Sequence, residues 1–316
     1  MWFKQIQLFE LKEFNLNIEK LNEKLHLLAF EPCSRSLPST MGWIPLLDEE
    51  NSPLVQAVNG NLMICLQIEE KIMPAVVIRQ ELNEKIKQIE TTEHRKMGHK
   101  EKLSLKDEVT LTLLTRAFSK LTKIYAYIDT KNQWLVVGST HLKKVEQFIS
   151  MFKKSVTEKI HSIALKKLSP IMTNWLKDQD YPSSFSIEKS CVLQDQNQQK
   201  RIIRCQQQNL FASSIQELIK DGCEVKQFAL IWQDRINFTL TNDFLLQSIK
   251  FQDEITAQSR EMEAETNQHK FYADFLVMSE TLSLFFKDLL KEFAETLQDE
   301  QKNTVVTPAH KEEIFS

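Results

Sequence analysis

The sequence predicts a mixed α+β fold. Short alternating strands come in hairpin pairs, helical periods come in separate runs, and no strict strand–helix–strand alternation joins them. With 316 residues, 42% of them apolar and 26% charged, the chain is long enough for two or three modules with real cores.

The elements read in order. Lys4–Leu8 alternates as a strand, and Ile18, Leu21, Leu25 and Leu28 recur as one face of a helix. Pro32, Pro38, Pro45 and Pro53 mark a loop region that contains Met41-Gly42-Trp43-Ile44. Asn59-Gly60-Asn61 is a turn leading into a strand, Leu62–Leu66. After Pro74, Ile78, Leu82, Ile86 and Ile89 define an amphipathic helix. A cationic stretch over 91–104 follows, and Ser104 with Asp107 has the spacing of a helix cap for a second helix reaching Leu121. Residues 74–121 therefore read as a helical excursion from the N-terminal sheet. Thr122–Ile128 and Gln133–Val137 form a hairpin, and Thr140 is placed to cap a helix carrying Leu142, Val145, Phe148 and Phe152. Ser169-Pro170 starts another helix, with proline in the first turn. Two hairpins follow, 185–193 with 200–205 and 225–232 with 235–240, separated by a helix over Ser214–Lys220 that ends at Gly222. Phe271–Leu297 is a long helix, and the last residues read as a frayed tail.

Charge is distributed unevenly. The net value of −3 combines 5 cations and 10 acids in 1–70, 20 and 10 in 71–167, 9 and 9 in 168–251, and 6 and 14 in 252–316. A basic middle stretch of this kind points to a polyanionic partner. The candidate phosphate contacts are Arg79, Lys85, Lys87, Arg95, Lys96, Lys100, Lys102, Lys106, Arg116, Lys120, Lys123, Lys143 and Lys144, with Lys153, Lys154, Lys159, Lys166 and Lys167 extending the run. Most charge runs are simply solvated faces, so each residue alone is weak. Lysine contacts phosphate as a point charge and reads no base edge, which favours binding without sequence preference. Phe118 among these cations is either a core anchor or an interface aromatic, and Gln206-Gln207-Gln208 is a polar hairpin end suited to a contact.

Several chemistries find no support. The five glycines form neither GxGxxG nor GxxxxGK, and there is no GxSxG or HExxH. The five cysteines include no CxxC pair, and His94 and His99 are out of phase on a helix, so neither a structural metal nor a cofactor is expected. The acid pairs Glu69-Glu70, Asp107-Glu108 and Asp253-Glu254 point to different sides of their elements. The chain is expected not to be an enzyme, to be cytoplasmic, and to have no membrane span.

Met41-Gly42-Trp43 with Pro45, Glu69-Glu70-Lys71-Ile72 with Pro74, Ser104–Val109, Arg116-Ala117-Phe118-Ser119, Ile128-Asp129-Thr130, Trp232-Gln233 with Arg235-Ile236, Lys250-Phe251 with Asp253-Glu254, and Ala273-Asp274-Phe275 occur in this order. The sequence with these motifs resembles the RdgC family of recombination-associated DNA-binding proteins. The resemblance implies a ring-shaped homodimer that encircles double-stranded DNA, binds single strands more weakly, associates with the nucleoid, and restrains the bacterial strand-exchange recombinase in recombination and replication-fork repair. It also implies three domains and a tail: a central domain (1–73 plus 122–168), a helical base (74–121 plus 252–300), a tip (169–251) and a disordered 301–316. Phe118 in the base and Gln207 and Gln208 at the tip become dimer contacts. Gln206-Gln207 stands where relatives carry lysine before the glutamine. The alternatives are a module that contacts the recombinase directly and a metal-dependent nuclease.

Overall fold

A computed structural model describes residues 2–47, 52–197, 201–262 and 266–294. The elements are β1 (Gln7–Lys12), α1 (Ile18–His26), β2 (Ser39–Ile44), β3 (Gln56–Val58), β4 (Asn61–Lys71), α2 (Ala75–Glu93), α3 (His99–Leu114), β5 (Ser119–Asp129), β6 (Trp134–Val137), α4 (Leu142–Ser155), β7 (Lys159–Ser162), α5 (Leu168–Asp178), β8 (Phe185–Asp195), β9 (Ile202–Cys205), α6 (Ser213–Lys220), β10 (Cys223–Trp232), β11 (Ile236–Thr241), β12 (Leu246–Phe251), α7 (Asp253–Glu261) and α8 (Asn267–Phe293). The α+β class is as expected.

Two antiparallel sheets form. The first runs β2-β4-β5-β6-β1-β7 with β3 also on β4, and the second runs β12-β11-β10-β8-β9. They meet where Ile6 and Leu246 exchange backbone hydrogen bonds of 2.8 and 3.0 Å. Alternation along the first sheet's strands makes both of its faces apolar, so both must be covered. Ile64, Leu66, Ile124, Ala126 and Ile128 face α1 and α4, whose Leu21, Leu25, Phe148 and Phe152 close that core. Leu8, Met63, Tyr127 and Val136 face the other way, into a core shared with α8 and the second sheet. The Phe275 ring of α8 stands 5.6 Å from Tyr127, while Phe285 stands 4.8 Å from Phe238 and 5.5 Å from Trp232 of the second sheet. One helix thus serves both sheets.

Within one chain, α8 and the α2–α3 hairpin pack against different elements. Phe275, Val277, Met278, Leu282, Phe285, Phe286, Leu289 and Phe293 of α8 join the core shared by the two sheets, whereas α2 and α3 pack chiefly on each other. The expected tail, 301–316, lies outside the described residues, as does the end of the expected long helix beyond 294.

Local differences have physical causes. α3 starts six residues earlier than the Ser104 cap predicts, because the Glu101 carboxylate accepts the Gly98 N–H (2.8 Å) and closes the helix start there. Thr140 does not cap α4; its hydroxyl donates to Gln5 Oε1 at 3.1 Å. The excursion ends before Leu121, since Ser119 already pairs with Lys71. The proline-marked loop hides β2, which is held by Trp43 accepting from Phe30 N–H and donating to Leu28 O. A side chain at Gly42 would collide with the backbone of Ala29 and Phe30. The Asn59-Gly60 turn is as expected, with φ of 47° and 79°.

Candidate nucleic-acid interface

The helical hairpin α2–α3 leaves the first sheet between β4 and β5. Its seam holds the buried Leu105, Val109 and Leu114 on α3, whereas α2 has no fully buried residue. Cross-helix ion pairs supplement this thin apolar seam. Lys85 Nζ lies 3.5 Å from Glu108, and Lys102 Nζ lies 3.6 Å from Glu90.

The turn joining the helices is organised by Arg95. Its Nη1 and Nη2 each donate to the Glu101 carboxylate at 2.9 Å, and its Nε lies 2.7 Å from Glu93. The Arg95 hydrogen bonds and the Gly98 N–H hold the Glu101 carboxyl down at about 2. Glu90 is lowered chiefly by accepting the Met97 N–H, at 2.9 Å, with Lys102 and Lys96 adding charge. Arg95 therefore braces the turn, with its charge largely answered by protein carboxylates.

Lys87, Arg95 and Lys96 come together with His94, Asn83 and Glu90 round a surface cavity of about 400 Å³. The other cations are more dispersed. Arg79 lies on α2, Lys100 and Lys106 on α3, and Arg116 in the link to β5. Lys120 shares strand parity with Ile124 and so leaves β5 on the α4 side, where its cross-strand neighbour Glu70 is engaged by Lys143 at 2.8 Å. Lys123 shares parity with Tyr127 and leaves on the α8 side. Lys144 follows Lys143 in the first turn of α4. Among the described residues, Arg79, Lys87, Lys96, Lys100, Lys106, Arg116, Lys120, Lys123 and Lys144 carry no carboxylate within ion-pair distance. Within one chain, then, the structure brings the hairpin-turn cations together and sends Lys120 and Lys123 to opposite faces of one strand.

Phe118 stands 85% exposed at the root of the hairpin. Ile72, Val76, Val77 and Leu121 are exposed in the same root segments, and Ile72 N–H donates to Phe118 O at 2.8 Å. Sequence reasoning missed these four aliphatics as surface groups. The run Ala75-Val76-Val77-Ile78 held the signal, because four consecutive apolar residues exceed what one helix face can bury. Gln207 and Gln208 occupy the turn after β9, where Gln207 has φ of 53° and Gln208 N–H donates to Lys189 O at 3.3 Å.

Of the acid pairs, Glu69 and Glu70 are separated as expected. Glu69 accepts the Cys33 N–H at 2.8 Å, while Glu70 on the opposite face takes Lys143. Among the described residues, no three His, Cys, Asp or Glu side chains gather as a metal site. No helix of these residues is long and apolar enough to cross a membrane.

Fold and site define a two-sheet α+β protein, built round one shared helix, with a highly charged helical hairpin standing off its first sheet. A family model described as "Putative exonuclease, RdgC" matches residues 1–296. The chain is 33% identical over 295 residues to the recombination-associated protein RdgC of Yersinia enterocolitica serotype O:8, covering 92% of this chain and 97% of the relative. The proteins of the same name from Yersinia pestis (strain Pestoides F) and Yersinia pseudotuberculosis serotype O:1b match to the same extent. The chain belongs to the RdgC family.

Proposed function

We propose that this chain binds double-stranded DNA without reading its sequence, acts as a homodimeric ring round the duplex in the nucleoid, and restrains recombinase-driven strand exchange. The carrying observation is that Lys87 and Lys96 gather at the turn of the α2–α3 hairpin without ion-pair partners among the described residues, in a family whose relatives are named recombination-associated. Lysine-rich surfaces neutralise phosphates and release counterions, and single strands with their lower charge density bind more weakly. The homodimer is supported by the apolar hairpin root, since an exposed patch of Phe118, Ile72, Val76 and Leu121 is costly to leave in water. Gln207 and Gln208, at the opposite reach of the second sheet, supply the second contact that closes the ring.

The test is a salt titration on duplexes of unrelated sequence. Affinity should fall by about 10³ or more between 50 and 200 mM salt, equally for each duplex, if about six phosphates are engaged. A flat salt response refutes the reading. The word "exonuclease" in the family description favours a second reading. Metal-assisted phosphodiester hydrolysis uses clustered carboxylates, and end-labelled DNA incubated with Mg²⁺ or Mn²⁺ distinguishes the two. We expect intact DNA. Inhibition that persists when all duplex is already coated would instead support direct contact with the recombinase.

A further inference from the structure

Cys191 on β8 and Cys205 on β9 are directly opposite each other in an antiparallel pair. Opposed residues in such a pair have Cα atoms about 4.5–5.5 Å apart, inside the range of about 4.4–6.8 Å that a disulfide spans. Their side chains share one face, and both lie in the core at 4% and 2% exposure. Both are free thiols. A surface cavity of about 210 Å³ runs beside them, lined also by Ser190, Arg204 and Gln206. β9 is only four residues long and lies at the edge of its sheet, so it can open without disturbing its neighbours.

We infer that Cys191 and Cys205 are a redox site that closes to an intrachain cross-strand disulfide with a small-molecule disulfide as oxidant. The Cys205 thiolate, on the edge strand, attacks one sulfur of the oxidant and expels a thiolate, leaving a mixed disulfide. The Cys191 thiolate then attacks Cys205 Sγ, and the second thiolate leaves. The two cysteine protons go to the two departing thiolates, so two thiols are oxidised and one disulfide is reduced. Burial, and the neighbouring Cys205 thiol, push the Cys191 pKa up, which keeps that sulfur protonated and makes the closing step slow at neutral pH. The bond would fasten β9, and with it the turn carrying Gln207 and Gln208, to the rest of the sheet. Its bearing on dimer contact rests on the proposed function, whereas formation of the bond does not.

The test uses the full chain, reduced and then incubated without denaturant with oxidised glutathione, digested and weighed by mass spectrometry. The peptides bearing Cys191 and Cys205 should be joined, with loss of two hydrogen atoms. The rate should climb about tenfold per pH unit in the neutral range. C205A should abolish the linkage, and C191A should instead hold one glutathione on Cys205. Amide exchange over 202–208 should slow once the bond forms. Linkage to Cys33 or Cys223, or glutathione on both sulfurs without closure, overturns the inference, as does no reaction at pH 9 when the unfolded chain reacts. None of these readouts depends on DNA or on dimer formation, so the site and the proposed function can fail separately.

Discussion

The two-sheet body and the α2–α3 hairpin solve the problem of staying folded in opposite ways. The body buries rings: Phe285, Phe286, Phe293, Trp232 and Phe238 are all inaccessible, and α8 contacts aromatic side chains of both sheets. The hairpin buries three aliphatic side chains on one helix and none on the other, and it relies on carboxylate–cation contacts at the surface. Apolar burial is worth about 25 cal/mol per Å², whereas exposed ion pairs contribute about 0–1 kcal/mol each. The hairpin is therefore the element expected to open first. The same surface that makes it marginal also carries the unpaired charge.

The largest expected effect is in the body. Phe285→Ala should cost about 3–5 kcal/mol, read from urea unfolding as a shift of the whole transition. A loss confined to α8, with the sheets still protected from hydrogen exchange, would break the view of α8 as shared core. In the hairpin, Leu105→Ala should cost about 2 kcal/mol, the low end for such truncations, because a two-helix seam can collapse. Exchange should accelerate in 75–114 and leave β4 and β5 unchanged; equal acceleration in the sheet would mean the two regions unfold as one.

Next comes binding. Lys87→Glu with Lys96→Glu, next to the braced Arg95, should weaken duplex affinity by about tenfold or more and lower the salt slope by about 2. The melting of the two-sheet body should not move. A loss restricted to one DNA sequence would contradict a phosphate contact. The smallest effect concerns pH. Glu101 is held at about 2, below the ordinary carboxylate value of 4.5, so its contribution is present above about 4.5 and disappears as pH falls toward 2. Exchange of the amides at 94–101 should accelerate over that window, and Arg95→Ala should weaken the dependence, leaving the part that the Gly98 N–H supplies. If acceleration begins only below pH 2, the Arg95–Glu101 contact is not what holds the turn.

Periodicity made α2, α4 and α8 legible in the sequence, and turn chemistry placed the β4, β5–β6 and β10–β11 hairpins. The missed strands β2, β3, β7 and β12 are three to six residues long, and β2, β7 and β12 lie at sheet edges. Too few alternations fit in such segments to stand out. The helix start at His99 was masked because the expected Ser/Asp spacing at 104–107 competes with Gly98–Glu101, and only the fold shows which carboxylate receives a backbone N–H. For the interface, each cation could be named from the sequence, yet their engagement could not. Glu70 lies 73 positions from Lys143 and Glu108 lies 23 from Lys85. Those pairs exist because antiparallel elements fold back on one another, information that composition does not hold.

The place of α8 also governs how a newly made chain behaves. Its residues, 267–293, are translated after every strand of both sheets. Until they emerge from the ribosome, Tyr127 on one side and Phe238 and Trp232 on the other lack the α8 rings that pack on them. The nascent polypeptide thus spends most of its synthesis with two open greasy faces, a state prone to aggregation. Cellular holdases that shield such surfaces would matter most for this protein during that wait, and truncation before Asn267 should yield insoluble material, not a smaller folded product.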